Sequence, residues 1–167
     1  MKVVFDVDGV LRDLNGHLLE YYGVPIPDDW KWVHEGKNIY DWAIKDRYRI
    51  LKEAQPTEYF KTILEFDSKP ELWTHQPKDW RPATWHWIRQ HIGYDCKIFY
   101  LTTEQKRVKL DYEPDTWLVE DNPNFTSYER IVLIDRLYNH NVPAEVRVRS
   151  PKELRAVLEK VKHGRVQ

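Results

Sequence analysis

The segment Val3-Val4-Phe5-Asp6-Val7-Asp8-Gly9-Val10-Leu11 narrows the possible folds more than any other part of the chain. Lys2 to Phe5 is a short apolar run without polar alternation, the pattern of a strand covered on both faces, as in a parallel sheet. It ends on two carboxylates, Asp6 and Asp8. Side chains at i and i+2 share a face, so the two acids crowd at the end of a buried strand, and a cation or a shared proton must relieve their repulsion. Gly9 then lets the chain turn without a Cβ and leaves room for an anion near the backbone. Two solvated acids capping a strand would produce the same pattern, so the other strand ends must decide.

Those ends are polar too. Lys97-Ile98-Phe99-Tyr100-Leu101 runs into Thr102-Thr103, Trp117-Leu118-Val119 into Glu120-Asp121, and Ile131-Val132-Leu133-Ile134 into Asp135; Glu145 to Val148 is a weaker fifth strand. Helix signals fall between them. Ser150-Pro151-Lys152-Glu153 combines an N-cap, a first-turn proline and a capping-box acid, with Leu154, Val157, Leu158 and Val161 as the apolar stripe. Pro82 opens another helix, with Trp85, Ile88 and Ile92 assigned to its buried face. This alternation predicts a three-layer α/β sandwich with a parallel sheet, whose strand C-termini line one crevice. Residues 14–79 interrupt it with a Pro- and Trp-rich lead-in and helices near Ile39–Ala54 and Thr57–Glu65. They read as a small helical cap inserted after the first strand, leaving 1–13 and 80–167 as the α/β core. A chain of 167 residues suffices for one core and a small insertion.

Gathered at one sheet edge, Asp6, Asp8, Asp121 and the Thr102-Thr103 hydroxyls would form a hard-cation site with donors for phosphate oxygens. In these motifs the chain resembles the phosphatase branch of the haloacid dehalogenase superfamily: Asp6 to Leu11 matches its first motif, Phe99-Tyr100-Leu101-Thr102 its second and Leu118-Val119-Glu120-Asp121 its fourth. It is most similar to the 5′(3′)-deoxyribonucleotidases. Those proteins carry a small helical cap after the first motif, and Ile134-Asp135-Arg136-Leu137-Tyr138-Asn139 and Arg147-Val148 look like their tail. The resemblance implies that Asp6 is the nucleophile and Asp8 the acid/base. It implies Mg²⁺ on the carboxylates of Asp6 and Asp121 and the backbone carbonyl of Asp8, with Thr102, assisted by Thr103, on the phosphoryl oxygens. It also requires a cation beside the intermediate. Lys106, Arg107 and Lys109 lie in the right segment, and spacing to Asp121 favours Lys109, then Lys106; a solvated surface charge is the ordinary alternative for each.

Composition adds boundaries. A net charge of −1 gives no bulk attraction for nucleic acid or anionic lipid, and no apolar run reaches the length of a membrane helix. Cys96 is the only cysteine, which excludes an internal disulfide and fits a cytoplasmic setting; an N-terminus that reads as structure from Lys2 predicts no leader. The chain carries eight Trp and ten Tyr. In the insertion, Trp30, Trp32 and Trp42 are candidates to stack a nucleobase, against the commoner use of such residues as core. The expected substrate is therefore a phosphomonoester, a nucleoside monophosphate first. A polynucleotide 3′-phosphatase and a catalytically silent binding module are the rivals.

Overall fold

The computed structural model describes residues 1–165; Val166 and Gln167, the end of the span assigned to the core, lie outside the described residues. The elements run β1 (Lys2–Phe5), α1 (Leu14–Tyr22), β2 (Val33–His34), β3 (Lys37–Asn38), α2 (Ile39–Trp42), α3 (Arg47–Glu53), α4 (Phe60–Phe66), β4 (Glu71–Thr74), α5 (Arg81–His91), β5 (Ile98–Tyr100), α6 (Thr103–Tyr112), β6 (Thr116–Glu120), β7 (Ile131–Ile134), β8 (Val146–Val148) and α7 (Pro151–Lys162). Six strands form one parallel sheet in the order β5-β4-β1-β6-β7-β8, and β2 and β3 make a separate antiparallel pair. The strands are short, and β1, β6 and β7 are buried along nearly their whole length, as continuous apolar runs require.

Alternation across the pleat divides the interior in two. Val3 and Phe5 of β1, Leu72 of β4 and Val119 of β6 face a core shared with α4, α5 and α7, while Val4, Trp73 and Leu118 face α6 and Phe125. Each fully buried Leu, Val or Phe contributes on the order of 1.5–3 kcal/mol, so both faces are needed to hold strands this short. Helix α7 follows its sequence signals closely. Ser150 Oγ accepts the Glu153 N–H at 3.2 Å, Pro151 occupies the first turn, and Leu154, Leu158 and Val161 are buried. A cap of this kind contributes about 1 kcal/mol.

The assignment of 14–79 to one insertion needs correction in its C-terminal part. Glu71–Thr74 is a central strand, paired on one side with β1 and on the other with β5, and α4 packs into the same core as α7. Only four residues long, preceded by Pro70 and opening on a charged residue, β4 gives too weak a pattern to register in the sequence. What stands apart from the sheet is α1 to α3 with the β2–β3 pair. Leu14, Leu18, Ile39, Ile50 and Leu51 form a third core there, closed against Trp80, Ala83 and Tyr138. The helix expected over Ile39–Ala54 is two helices, α2 and α3. In α5, Trp85 is 45% exposed beneath Arg89, and the buried stripe is Ala83, Thr84, Trp87 and Ile88. Pro82 marks where that helix starts but not its rotational phase. Among the described residues no helix is long and apolar enough to cross a membrane.

Candidate active site

The register of the central strands assembles the acids. Phe5 pairs with Val119, so Asp6, the first residue beyond β1, and Glu120, the last of β6, lie side by side, and the Asp6 N–H is held by the Val119 carbonyl at 2.9 Å. Asp6, Glu120 and Asp121 are all buried, and each offers a carboxylate oxygen within 4.8 Å of the others. One buried cation faces them. Lys106 of α6 puts Nζ 2.9 Å from Asp6 Oδ1 and donates to Glu120 Oε2 at 2.7 Å. The Asp6–Lys106 contact is a buried ion pair.

Three buried carboxylates against one ammonium leave the cluster short of positive charge. Burial, then the neighbouring Glu120, holds the Asp6 carboxyl well above its ordinary range. Burial and the Asp6 charge push Asp121 up to about 6, and burial raises Glu120. Burial opposes the charge on Lys106, yet Asp6 and Glu120 outweigh it and raise its pKa. Glu120 is already committed: its Oε1 also accepts the N–H groups of Asp121 and Asn122 at 3.1 and 3.2 Å. Asp6 and Asp121 are the acids left to take a divalent cation, and an oxygen-only set of this kind suits Mg²⁺.

Backbone detail confirms a built cradle. Gly9 has φ +79°, and a Cβ there would overlap the Asp121 carboxylate. Three residues after β7 hold this arrangement together. Tyr138 donates its hydroxyl to Asp121 Oδ2, Asn139 Nδ2 donates to the Asp121 carbonyl at 2.7 Å, and Arg136 donates to the Gly9 carbonyl at 2.8 Å. The sequence offered their pattern only as part of a family resemblance, without roles. Asp8 turns toward the insertion side. Its Oδ1 accepts from Nε of the wholly buried Arg12 at 2.7 Å, and its Oδ2 accepts from Gln76. Arg12 in turn donates to the Leu51 carbonyl at 3.0 Å and Thr84 Oγ1 at 2.9 Å.

Other expected site residues are placed differently. Lys109 does not reach the acids; it pairs with Glu113 and lies over the rings of Trp73 and Phe99, while Lys106 faces Asp6. Thr102 is exposed, and its hydroxyl caps α6 by accepting the Gln105 N–H at 3.2 Å. It follows β5, which is separated from β1 by a whole strand. The hydroxyl beside β1 is Thr74, at the end of β4, 1% exposed with Oγ1 unpartnered. Leu72-Trp73-Thr74 repeats the apolar-apolar-Thr pattern of Tyr100-Leu101-Thr102, and only the strand order tells the two apart. Thr103, Trp30 and Trp32 line a cavity of about 620 Å³ above Asp6, Asp8 and Lys106. Trp42 is absent from its lining and packs against Tyr22 and His34.

No protein-family model matches the chain, and no curated protein does. Solved structures do. A haloacid dehalogenase-like family hydrolase from Streptococcus pneumoniae superposes with a TM-score of 0.56 at 16% identity, covering 93% of this chain and 97% of that one. YfnB from Bacillus subtilis, described as a HAD-hydrolase and solved bound to magnesium, superposes with a TM-score of 0.54 at 14% identity, covering 95% and 98%. The chain therefore has the fold of the haloacid dehalogenase-like hydrolases, with a buried carboxylate cluster at the C-terminal edge of its central strands.

Proposed function

We propose that this protein is a Mg²⁺-dependent phosphomonoesterase of the haloacid dehalogenase superfamily, working in the cytoplasm. The observation that carries the reading is the buried pair of Asp6 and Lys106 beside Asp121, at the floor of an aromatic-walled cavity. A carboxylate is a weak nucleophile toward a phosphate dianion because like charges repel. Lys106 removes part of that repulsion, and a bound Mg²⁺, held by Asp6, Asp121 and the Asp8 carbonyl, would supply the remaining positive charge.

An Asp6 oxygen attacks phosphorus as the bond to the leaving oxygen breaks, giving an aspartyl-phosphate. In this reading Asp8, held at the cavity by its Arg12 and Gln76 contacts, gives a proton to the departing alkoxide. The resulting Asp8 carboxylate then takes a proton from water, which attacks the same phosphorus and releases Asp6 and inorganic phosphate. Thr103, in the cavity lining, supplies a hydroxyl donor for the phosphoryl oxygens, and the unpartnered hydroxyl of Thr74, at the end of the strand beside β1, is the candidate for a second. In this reading Lys106, ranked second to Lys109 by spacing, takes the cation's role, and Thr74 the role that the family resemblance gave to Thr102.

The substrate we favour is a nucleoside monophosphate. Trp30 presents ring surface along the cavity, backed by the buried Trp32, and stacking on an aromatic ring contributes about 1–3 kcal/mol per base. A polynucleotide end is the weaker reading. Beyond the acid cluster, the charged lining consists of Asp41, Asp79 and Lys31, and Lys31 is exposed and paired with Asp29 at 3.2 Å. Among the described residues that wall offers no cationic track for further phosphates. The test is phosphate release from nucleoside monophosphates, sugar phosphates and a 3′-phosphorylated oligonucleotide, with Mg²⁺ and with EDTA. Mg²⁺-dependent turnover led by the mononucleotides is expected. Equal turnover in chelator refutes the phosphatase site, and a preference for sugar phosphates refutes the nucleotide assignment.

A further inference from the structure

Asp121 is tied to the wall of the cavity by an unbroken file of hydrogen bonds. Tyr40 of α2 donates its hydroxyl to Asn15 Oδ1 at 2.5 Å; Asn15 of α1 donates Nδ2 to the Tyr138 hydroxyl at 3.3 Å; Tyr138 donates to Asp121 Oδ2. Every donor points the same way, toward the acid, so each bond polarises the next. Asn15 and Tyr138 are each only 6% exposed and Asp121 2%. Water therefore cannot replace a lost member at little cost, and a broken link leaves a buried polar group unpaired.

The file also crosses a structural boundary. Tyr40 and Asn15 belong to the helical insertion and line the cavity, whereas Tyr138 and Asp121 follow β7 and β6 of the sheet. The Tyr138 ring packs against Trp30 and Trp32, at 5.2 and 4.9 Å between centroids. On the Asp121 side, Oδ2 is confined between the Tyr138 hydroxyl and the backbone of Gly9, where not even a Cβ would fit. Fixing one carboxylate oxygen fixes the plane of the group, and the other oxygen is then presented at a set angle to the acid cluster.

We propose that Tyr138 is a positioning residue that holds Asp121 in its metal-binding orientation, and that Tyr40 and Asn15 hold Tyr138, so that the insertion contributes to metal affinity at the sheet edge. The inference rests on the metal assignment made above. Partners that orient a metal-ligating carboxylate typically change affinity by about 10–100-fold when removed.

The test is calorimetric titration of Mg²⁺ into the metal-free full chain, for wild type, Tyr138→Phe, Tyr40→Phe and the double variant. Tyr138→Phe keeps the ring and its packing, so its metal-free melting temperature should stay within a few degrees of wild type. Its Mg²⁺ dissociation constant should rise about 10–100-fold. Tyr40→Phe should weaken binding several-fold in the wild-type background and have no further effect in Tyr138→Phe, because its influence passes through that hydroxyl. The proposal is overturned if Tyr138→Phe binds Mg²⁺ within twofold of wild type, or if the Tyr40→Phe effect persists undiminished in the double variant. Should Tyr138→Phe not fold, Asn15→Leu carries the same expectation from one link further out, and unchanged affinity there overturns the proposal equally. A wild-type protein that binds no Mg²⁺ overturns the metal assignment itself, an outcome distinct from a wild type that binds and a variant that binds as well.

Discussion

Metal-free protein should be more stable in mild acid than at neutral pH, because the carboxyls of Asp6, Glu120 and Asp121 are all raised on folding, and Asp121 contributes a definable part of the difference. Its carboxyl moves from an ordinary value of 3.8 to about 6 on folding, through burial and the neighbouring Asp6 charge. The folded state thus binds this proton more tightly than the unfolded chain does. The stabilisation is complete below about pH 4 and is lost as pH rises through about 6. A rise from 3.8 to about 6 is worth roughly 3 kcal/mol, of which about two-thirds falls between about pH 4.5 and 7.5. At 2–4 °C per kcal/mol for a chain of this size, that is a fall in melting temperature of roughly 4–8 °C. Mg²⁺ needs the ionised carboxylate, so added Mg²⁺ should raise the melting temperature more at pH 7.5 than at pH 4.5. Calorimetric melts of wild type and Asp121→Asn, each with EDTA and with Mg²⁺, separate this group from others that titrate. The reasoning fails if the two proteins lose the same stability between those pH values in EDTA, or if Mg²⁺ stabilises wild type equally at both.

Other consequences bear on the chemistry. Asp6→Asn should retain the fold and lose p-nitrophenyl phosphate hydrolysis by several orders of magnitude, measured as kcat, since an amide cannot act as the nucleophile. Lys106→Met should lower kcat at least about 100-fold, while Lys109→Met, whose ammonium is spent on Glu113, should stay within a few-fold of wild type. Gly9→Ala should cost about 1 kcal/mol or more from its positive φ alone and, by displacing Asp121, abolish Mg²⁺-dependent turnover; near-normal turnover would refute the cradle. Trp30→Ala should raise KM for a nucleoside monophosphate roughly tenfold with p-nitrophenyl phosphate turnover largely kept, and equal effects on both substrates would remove Trp30 from recognition.

The local pattern of residues determined a good deal by itself. An apolar run ending Asp-x-Asp-Gly dictates a buried strand that must deliver two carboxylates at its end, and β1 does so. Continuous apolar runs separated by capped helices dictate a parallel sheet with helices on both faces, and five of its strands were legible that way. What tertiary structure decided is everything that depends on which elements become neighbours. Thr74 and Thr102 end strands of the same local pattern; pairing of β4 with β1 brings the strand that ends in Thr74 next to the one that delivers Asp6, and leaves Thr102 to cap a helix. Lys106 and Lys109 are three residues apart on α6, nearly one turn, and only the packing of that helix on the sheet turns the first toward the acids and the second over Trp73. Trp30 and Trp42 differ in the same way, one in the cavity wall and one against Tyr22. Strand order and helix rotation are set by long-range burial of whole faces, a sum over many residues distant in sequence, and no short segment carries that sum.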